Sequence, residues 1–147
     1  MDAAYTTKFL DHVRAASAQQ KHLDENRHAL LGLYEALIHS DFDLFGGYLT
    51  DDTELNIAGM GAMDGHWRGR DAVVAAARKN FAQVGEQKPE IDSIISQGDS
   101  TAVLFRESGV FTVDGRGYRL RALQWFTFAG GRVRRIDEIA AAVLENP

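Results

Sequence analysis

Between Arg121 and Phe128 the chain alternates strictly: Ala122, Gln124, Phe126 and Phe128 share one face of an extended strand, and Leu123, Trp125 and Thr127 share the other. Both faces are too apolar to be left in water, and one of them carries an uncharged hydrogen-bonding group, the amide of Gln124. That strand is expected over 118–128, with three more at 90–97, 101–113 and 132–143. The pairs Gly98-Asp99, Asp114-Gly115 and Gly130-Gly131 that join them are of hairpin type, so successive strands should be antiparallel neighbours. The first half of the chain has the other period. Leu30, Leu31, Tyr34, Leu37 and Ile38 form a stripe at helical spacing with Asp24 as the expected N-cap, and a shorter helix is expected at 42–49. Asp71 opens a further helix carrying Val73, Val74, Ala77 and Phe81, and Pro89 blocks helix beyond the exit at 85–88. Between these helices, 53–59 alternates as a strand and the glycine-rich stretch 59–71 reads as a loop. Tyr5, Phe9, Val13 and Ala16 predict a short amphipathic helix that ends in the polar stretch 17–22.

Helices first and long strands afterwards is the order of an α+β fold with helices packed on one side of a sheet. The expected division is an accessory N-terminal helix over 1–22 and a single domain over 23–147. A chain of 147 residues, 45% hydrophobic and 25% charged, suffices for one domain around one core. The net charge of −5 argues against nucleic acid as a partner, since phosphate binding needs a surplus of Lys and Arg on one face and the arginines here are scattered. With no cysteine, a disulfide scaffold, a thiolate metal site and a Cys nucleophile are excluded. No run of about 18 apolar residues is present to span a membrane, and the first residues lack the basic-then-apolar pattern of a signal peptide. The reading is of a soluble, cytoplasmic protein.

The stretches 33–59, 65–74 and 123–138, in this order and spacing, resemble the SnoaL-like and ketosteroid-isomerase-like members of the nuclear transport factor 2-like superfamily. The resemblance covers most of Arg27 to Ala142. It implies a cone-shaped, curved antiparallel sheet, of the cystatin-like kind, wrapped over the N-terminal helices with an apolar pocket between them. It also implies dimers formed through the outer face of the sheet. The scaffold hosts isomerases, dehydratases, cyclases, epoxide hydrolases and proteins with no chemistry, so function depends on the residues that face inward.

Aligned without gaps from Tyr34, the steroid-isomerase pattern places its catalytic tyrosine on Tyr34 and its general-base aspartate on Ala58, whose methyl group takes no proton. Counted from the Gly115 turn, the protonated aspartate that assists the tyrosine falls on Gln124. An amide donates the same hydrogen bond at any pH, so Tyr34 and Gln124 are candidates for a clamp on a carbonyl or enolate oxygen. The same turn register puts Phe105 and Glu107 inward on one strand and Ile136 and Glu138 inward on the last, which makes the two glutamates candidates for the missing base. Asn56 shares a parity with Ala58 and is a candidate to orient a substrate. Met60, Met63, His66 and Trp67 fall in the loop that caps the pocket mouth in this fold, with Trp67 as a lid and Asp64–His66 as a candidate dyad. Phe126 belongs to the apolar wall. A slip of one residue would turn every one of these strand side chains to the opposite face, where Glu107 and Glu138 would form ion pairs with arginines instead.

The five histidines lack the spacing of a metal site, and nothing in the pattern asks for a metal or a cofactor. No inward arginine lies between two inward aspartates, as the epoxide-hydrolase relatives require. The function expected is binding of a small apolar, steroid- or polyketide-like molecule in a conical pocket, with isomerase-, cyclase- or dehydratase-type proton transfer. The alternatives are a non-catalytic binding module and a dimeric scaffold. Leu104, Val110, Leu123 and Trp125 on the outer parity point to a homodimer through that face.

Overall fold

A computed structural model describes residues 20–144, with side chains described for 25–142. The helix expected from Tyr5 to Ala16 lies outside the described residues. Helix α1 spans Gln20–Ile38, so Gln20, Lys21 and His22 of the expected polar break are helical and Asp24 is interior to the helix rather than its cap. Its buried residues include Ala29, Leu30, Leu33 and Ala36, with Tyr34 and Leu37 packed against the same core, whereas Leu31 and Ile38 of the expected stripe are exposed. The reason is the period: positions 29, 30, 33 and 36 hold one side of a 3.6-residue helix over its whole described length.

The chain leaves α1 through Ser40, held at a φ of 55°. Asp41 then caps the short helix α2, Phe42–Gly47, by accepting a hydrogen bond from the Leu44 amide at 2.9 Å. Strand β1, Leu49–Ala58, follows. The glycine-rich stretch expected to be loop throughout contains a single 3₁₀ turn, Gly61–Met63, and a four-residue strand β2, Gly65–Arg68, paired antiparallel with β1. The glycines still have work in it: at Gly59, with a φ of 88°, a Cβ would collide with the Ala140 carbonyl oxygen. Helix α3, Arg70–Ala82, buries Val73, Ala76 and Ala77.

Four long strands complete the fold: β3 Val84–Gln97, β4 Ser100–Phe111, β5 Gly117–Ala129 and β6 Arg132–Leu144. They form an antiparallel meander, as the hairpin pairs predicted, and Gly130 and Gly131 both take the positive φ that a two-residue turn requires. The full order is β2-β1-β6-β5-β4-β3. One pairing departs from the rest: β1 runs parallel to β6, so the curved sheet is mixed. Pro89 lies within β3, which is an edge strand and can spare an amide there.

The inner face of the sheet packs on the helices. Val103, Phe126, Phe128, Val133 and Ile136 join Leu30, Leu33, Phe45 and Val73 in one core. Phe105, Tyr118, Leu120 and Ala122 form a second cluster toward the other end of the strands. The expected parity of β4, β5 and β6 therefore holds without a slip. No helix among the described residues is long and apolar enough to cross a membrane.

Candidate functional site

Between the helices and the concave side of the sheet lies a cavity of about 130 Å³. That volume is on the scale of one benzene-sized ring. Its wall is apolar apart from Asn80 and two polar clusters, and each cluster is built around side chains that alternation turns inward on adjacent strands. Gln124 and Glu138 are directly opposite one another across β5 and β6, and Glu107 is opposite Leu120 across β4 and β5. Helix α1 lowers Tyr34 onto the first cluster, one ring edge against Phe126 at 5.9 Å between centroids.

The first cluster is a chain of three groups. The Tyr34 hydroxyl donates to Gln124 Oε1 at 2.6 Å, and Gln124 Nε2 donates to Glu138 Oε2 at 2.9 Å. Burial pushes the Tyr34 hydroxyl above its ordinary value and the neighbouring Glu138 carboxyl adds to the effect. Burial also raises the Glu138 carboxyl; the Gln124 amide works against that rise, and the charge of Glu107 reinforces it. Glu138 stays partly accessible as a residue, and the surface it shows lines the cavity.

In the second cluster the Tyr118 hydroxyl donates to Glu107 Oε1 at 2.6 Å, and Gln87 Nε2 reaches the same oxygen at 3.3 Å. Burial, with the Glu107 contact, pushes the Tyr118 phenol up as well. Gln87 arrives there through a bulge. The register of β3 on β4 shifts between Gly85 and Lys88, with Glu86 at a φ of 52°. The extra residue leaves Glu86 exposed and turns Gln87 to the cavity.

Of the residues singled out from the sequence, Tyr34, Gln124, Glu107 and Glu138 line the cavity, as do Met60, Met63, Phe105 and Phe126. The clamp is arranged differently from expectation: Tyr34 donates to Gln124 instead of standing beside it, so the phenol proton is already engaged. Four residues, Asn56, Ala58, His66 and Trp67, are not in the cavity wall, and the parity of β1 explains the first two. Leu55 and Ile57 are the inward residues of β1, which puts Asn56 and Ala58 on the outer face. Ala58 is exposed opposite Ile139, so the position expected to have lost its base does not face the site. Asn56 donates to Asp137 Oδ1 at 2.8 Å and contacts Nδ1 of the exposed His66. Burial would raise the Asp137 carboxyl, but hydrogen bonds from Arg135 and Asn56 outweigh it and hold the group below its ordinary value. Trp67 pairs with Leu55 across β1 and β2 and packs on the core rather than over the cavity. Asp64 accepts from the amides of Gly59 and Met60 and braces the turn, with no bond to His66 among those described.

Sequence reasoning missed Tyr118 and Gln87. Tyr118 was within reach, since it is two alternations before Ala122 on the strand already read. Gln87 was not, because its inward orientation depends on a bulge in a stretch read as a helix exit. Chemically, the cavity offers an acid raised by burial, an amide in contact with it and two phenols, with no Asp, Lys, Arg or His in its described wall. Among the described residues no group of three His, Asp or Glu side chains is placed to hold a metal ion.

A curved sheet wrapped around helices, with a cavity in its concavity, is the nuclear transport factor 2-like architecture. The pattern of the SnoaL-like domain matches residues 30–136, and the chain belongs to that family. An NTF2-like protein of unknown function from Burkholderia pseudomallei superposes with a TM-score of 0.69 at 23% identity, covering 78% of this chain and 88% of that one. An NTF2-like protein from Burkholderia xenovorans gives 0.69 at 19% identity over 80% and 89% of the two chains. An LEH-like epoxide hydrolase of M. tuberculosis gives 0.65 at 19% identity over 80% and 83%. These likenesses are of fold. Comparison with curated proteins finds no match.

Proposed function

We propose that the protein binds a small apolar molecule in this cavity and moves a proton to or from it, with Glu138 as the acid or base and no cofactor. The reaction class is that of an isomerase, cyclase or dehydratase. The observation that carries the reading is the Tyr34–Gln124–Glu138 chain, which ends on an acid pushed up by burial. General acids and bases work best when their pKa approaches the working pH, and burial in an apolar wall is how a carboxyl gets there. The cavity volume favours a ligand of single-ring size; a steroid- or polyketide-sized body needs the cavity to open further.

The amide gives the chain a direction that depends on the proton. With Glu138 ionised, Gln124 donates to the carboxylate and accepts from Tyr34. When Glu138 gains a proton, its hydroxyl donates to the Gln124 oxygen, the amide turns over and donates to Tyr34, and the phenol proton is freed for a ligand oxygen. A carbonyl ligand is therefore held better as pH falls through the raised Glu138 value. Cyclopentanone followed by NMR titration should bind several-fold more tightly at pH 5 than at pH 8, about one hydrogen bond's worth. Tyr34→Phe should remove that dependence while leaving the fold intact. A pH-independent affinity in the wild type would sink the proton-transfer reading and leave a passive binding module.

The outer sheet face carries Trp125, 46% exposed, beside Ile139, 63% exposed, and Ile95, 66% exposed. We propose that a second copy of the chain covers this face, because an apolar patch of this kind is rarely left in water. Light scattering should give a dimer for the wild type and a monomer for Trp125→Glu. A monomeric wild type at micromolar concentration would count against the pairing.

A further inference from the structure

Among the described residues the two carboxyls of the cavity have no cation to answer them. Glu107 and Glu138 both face the same apolar space, close enough for the charge of Glu107 to act on Glu138. No Lys, Arg or His lies in the described wall. The bonds that do reach them occupy one oxygen each: Tyr118 and Gln87 both reach Glu107 Oε1, and Gln124 reaches Glu138 Oε2. Among the described residues Glu107 Oε2 and Glu138 Oε1 have no hydrogen-bond partner. Buried charges in folded proteins are ordinarily paired, since leaving one unpaired is costly. Here no such partner is found among the described residues, and the space in front of the carboxyls is the size of a small ring.

We propose that the ligand is a small lipophilic amine of single-ring size, bound as its ammonium ion against Glu107, with its apolar body between the walls that include Phe105 and Phe126. The inference rests on the cavity being the binding site, and it adds the chemical class. Three observations favour an ammonium over the other choices. An anionic ligand would face two acids with no counter-ion. A neutral ketone or ether has no proton to give to Glu107 Oε2 and leaves the acid pair uncompensated. An ammonium supplies both charge and donors, and the aromatic residues of the wall, Phe81, Phe105 and Phe126 among them, attract a desolvated cation further. Glu138 then remains beside Tyr34 and Gln124 as the acid or base, while Glu107 selects the ligand. The two acids, alike in sequence, take different roles because one is tied to a phenol and an amide from its own wall and the other to the relay.

The experiment compares cyclopentylamine, cyclopentanol and cyclopentanecarboxylate, which share one ring, by NMR titration at pH 7.5. A charge-assisted hydrogen bond predicts that the amine binds about 10- to 100-fold more tightly than the alcohol. The carboxylate should show no cavity shifts. Glu107→Gln should bring the amine down to the alcohol while leaving the alcohol unchanged. If that variant does not fold, a soaked crystal of the wild-type protein must place the amine nitrogen within hydrogen-bond distance of the Glu107 carboxyl. Alcohol and amine bound equally, or an amine preference that persists in folded Glu107→Gln, overturns the amine proposal and leaves the cavity reading standing. Failure of all three compounds and of cyclopentanone to perturb the cavity overturns both.

Discussion

Glu138→Gln is expected to flatten the pH dependence of stability and to lower turnover by about 10²- to 10⁴-fold, the usual contribution of a positioned acid or base. The two effects have one cause. Burial raises the Glu138 carboxyl in the folded protein, so the folded state holds that proton more tightly than the unfolded chain does. In the unfolded chain a glutamate titrates near about 4.3. The stability linked to this proton is fully present below that value and is lost as pH rises through the raised folded value. Each tenfold change in the acid constant is worth about 1.4 kcal/mol. An amide has no proton to lose, keeps the side-chain volume and still accepts from Gln124, so the variant should gain on the wild type as pH rises. Melting temperatures of the two proteins from pH 4 to pH 9 check this: the gap should open on the alkaline side. Parallel curves would mean that Glu138 is ordinary and would remove the basis of its assigned role.

Phe126→Ala should cost about 3 to 5 kcal/mol of unfolding free energy, the range for deleting a fully buried aromatic ring. Phe126 is 1% exposed, stacks on Phe128 at 6.4 Å between centroids and meets the edge of Tyr34. Its loss joins the space of the removed ring to the cavity and takes away the surface that holds the phenol over Gln124. Denaturant unfolding gives the first number. A second reading separates packing from position: benzene at millimolar concentration should recover part of the lost stability in the variant and have a smaller effect on the wild type. A loss under about 1 kcal/mol would show that the wall collapses around the gap and that the cavity is not held rigidly.

Much of the candidate site could be read from alternation, because the side-chain period of a strand is two and the hairpin turns anchor it. From Gly115 and the Gly130-Gly131 turn the inward set Phe105, Glu107, Gln124, Phe126 and Glu138 follows by counting, and all five line the cavity. The failures occur where that counting has no anchor. The parity of β1 was carried over twenty-four positions from Tyr34 through a helix, a turn and a second helix, and it came out one residue off, so that Asn56 and Ala58 lie outside and Leu55 and Ile57 inside. In the stretch 59–71, glycine content signalled a loop, yet a four-residue strand forms there because β1 offers it an edge. Tertiary pairing of that kind leaves little trace in a short segment. The parallel contact of β1 with β6 was equally hidden, since no turn joins the two strands. On α1, Leu30, Tyr34 and Leu37 of the expected stripe do pack on the core, but Leu31 and Ile38 are exposed and the small residues Ala29 and Ala36, which carry little apolar signal, are buried.

That parallel contact also sets the order in which the molecule can be completed. Asn56 and Asp137, bonded across it, are 81 residues apart in the chain. As the protein is synthesised, β1 can pair with β2 almost at once, but its other edge stays open until β6 has emerged and inserted between β1 and β5. Such a long-range closure is slow relative to hairpin formation, and an open strand edge in the meantime invites pairing with another chain. The nascent protein thus passes through a stage with two unfilled edges facing one slot, and only the strand that carries Glu138 fits it. A chain that stalls before residue 132 lacks Glu138 and a closed cavity, and open strand edges of that kind are what chaperones and proteases act on. The strand that carries Glu138 is thus also the one whose insertion closes the sheet.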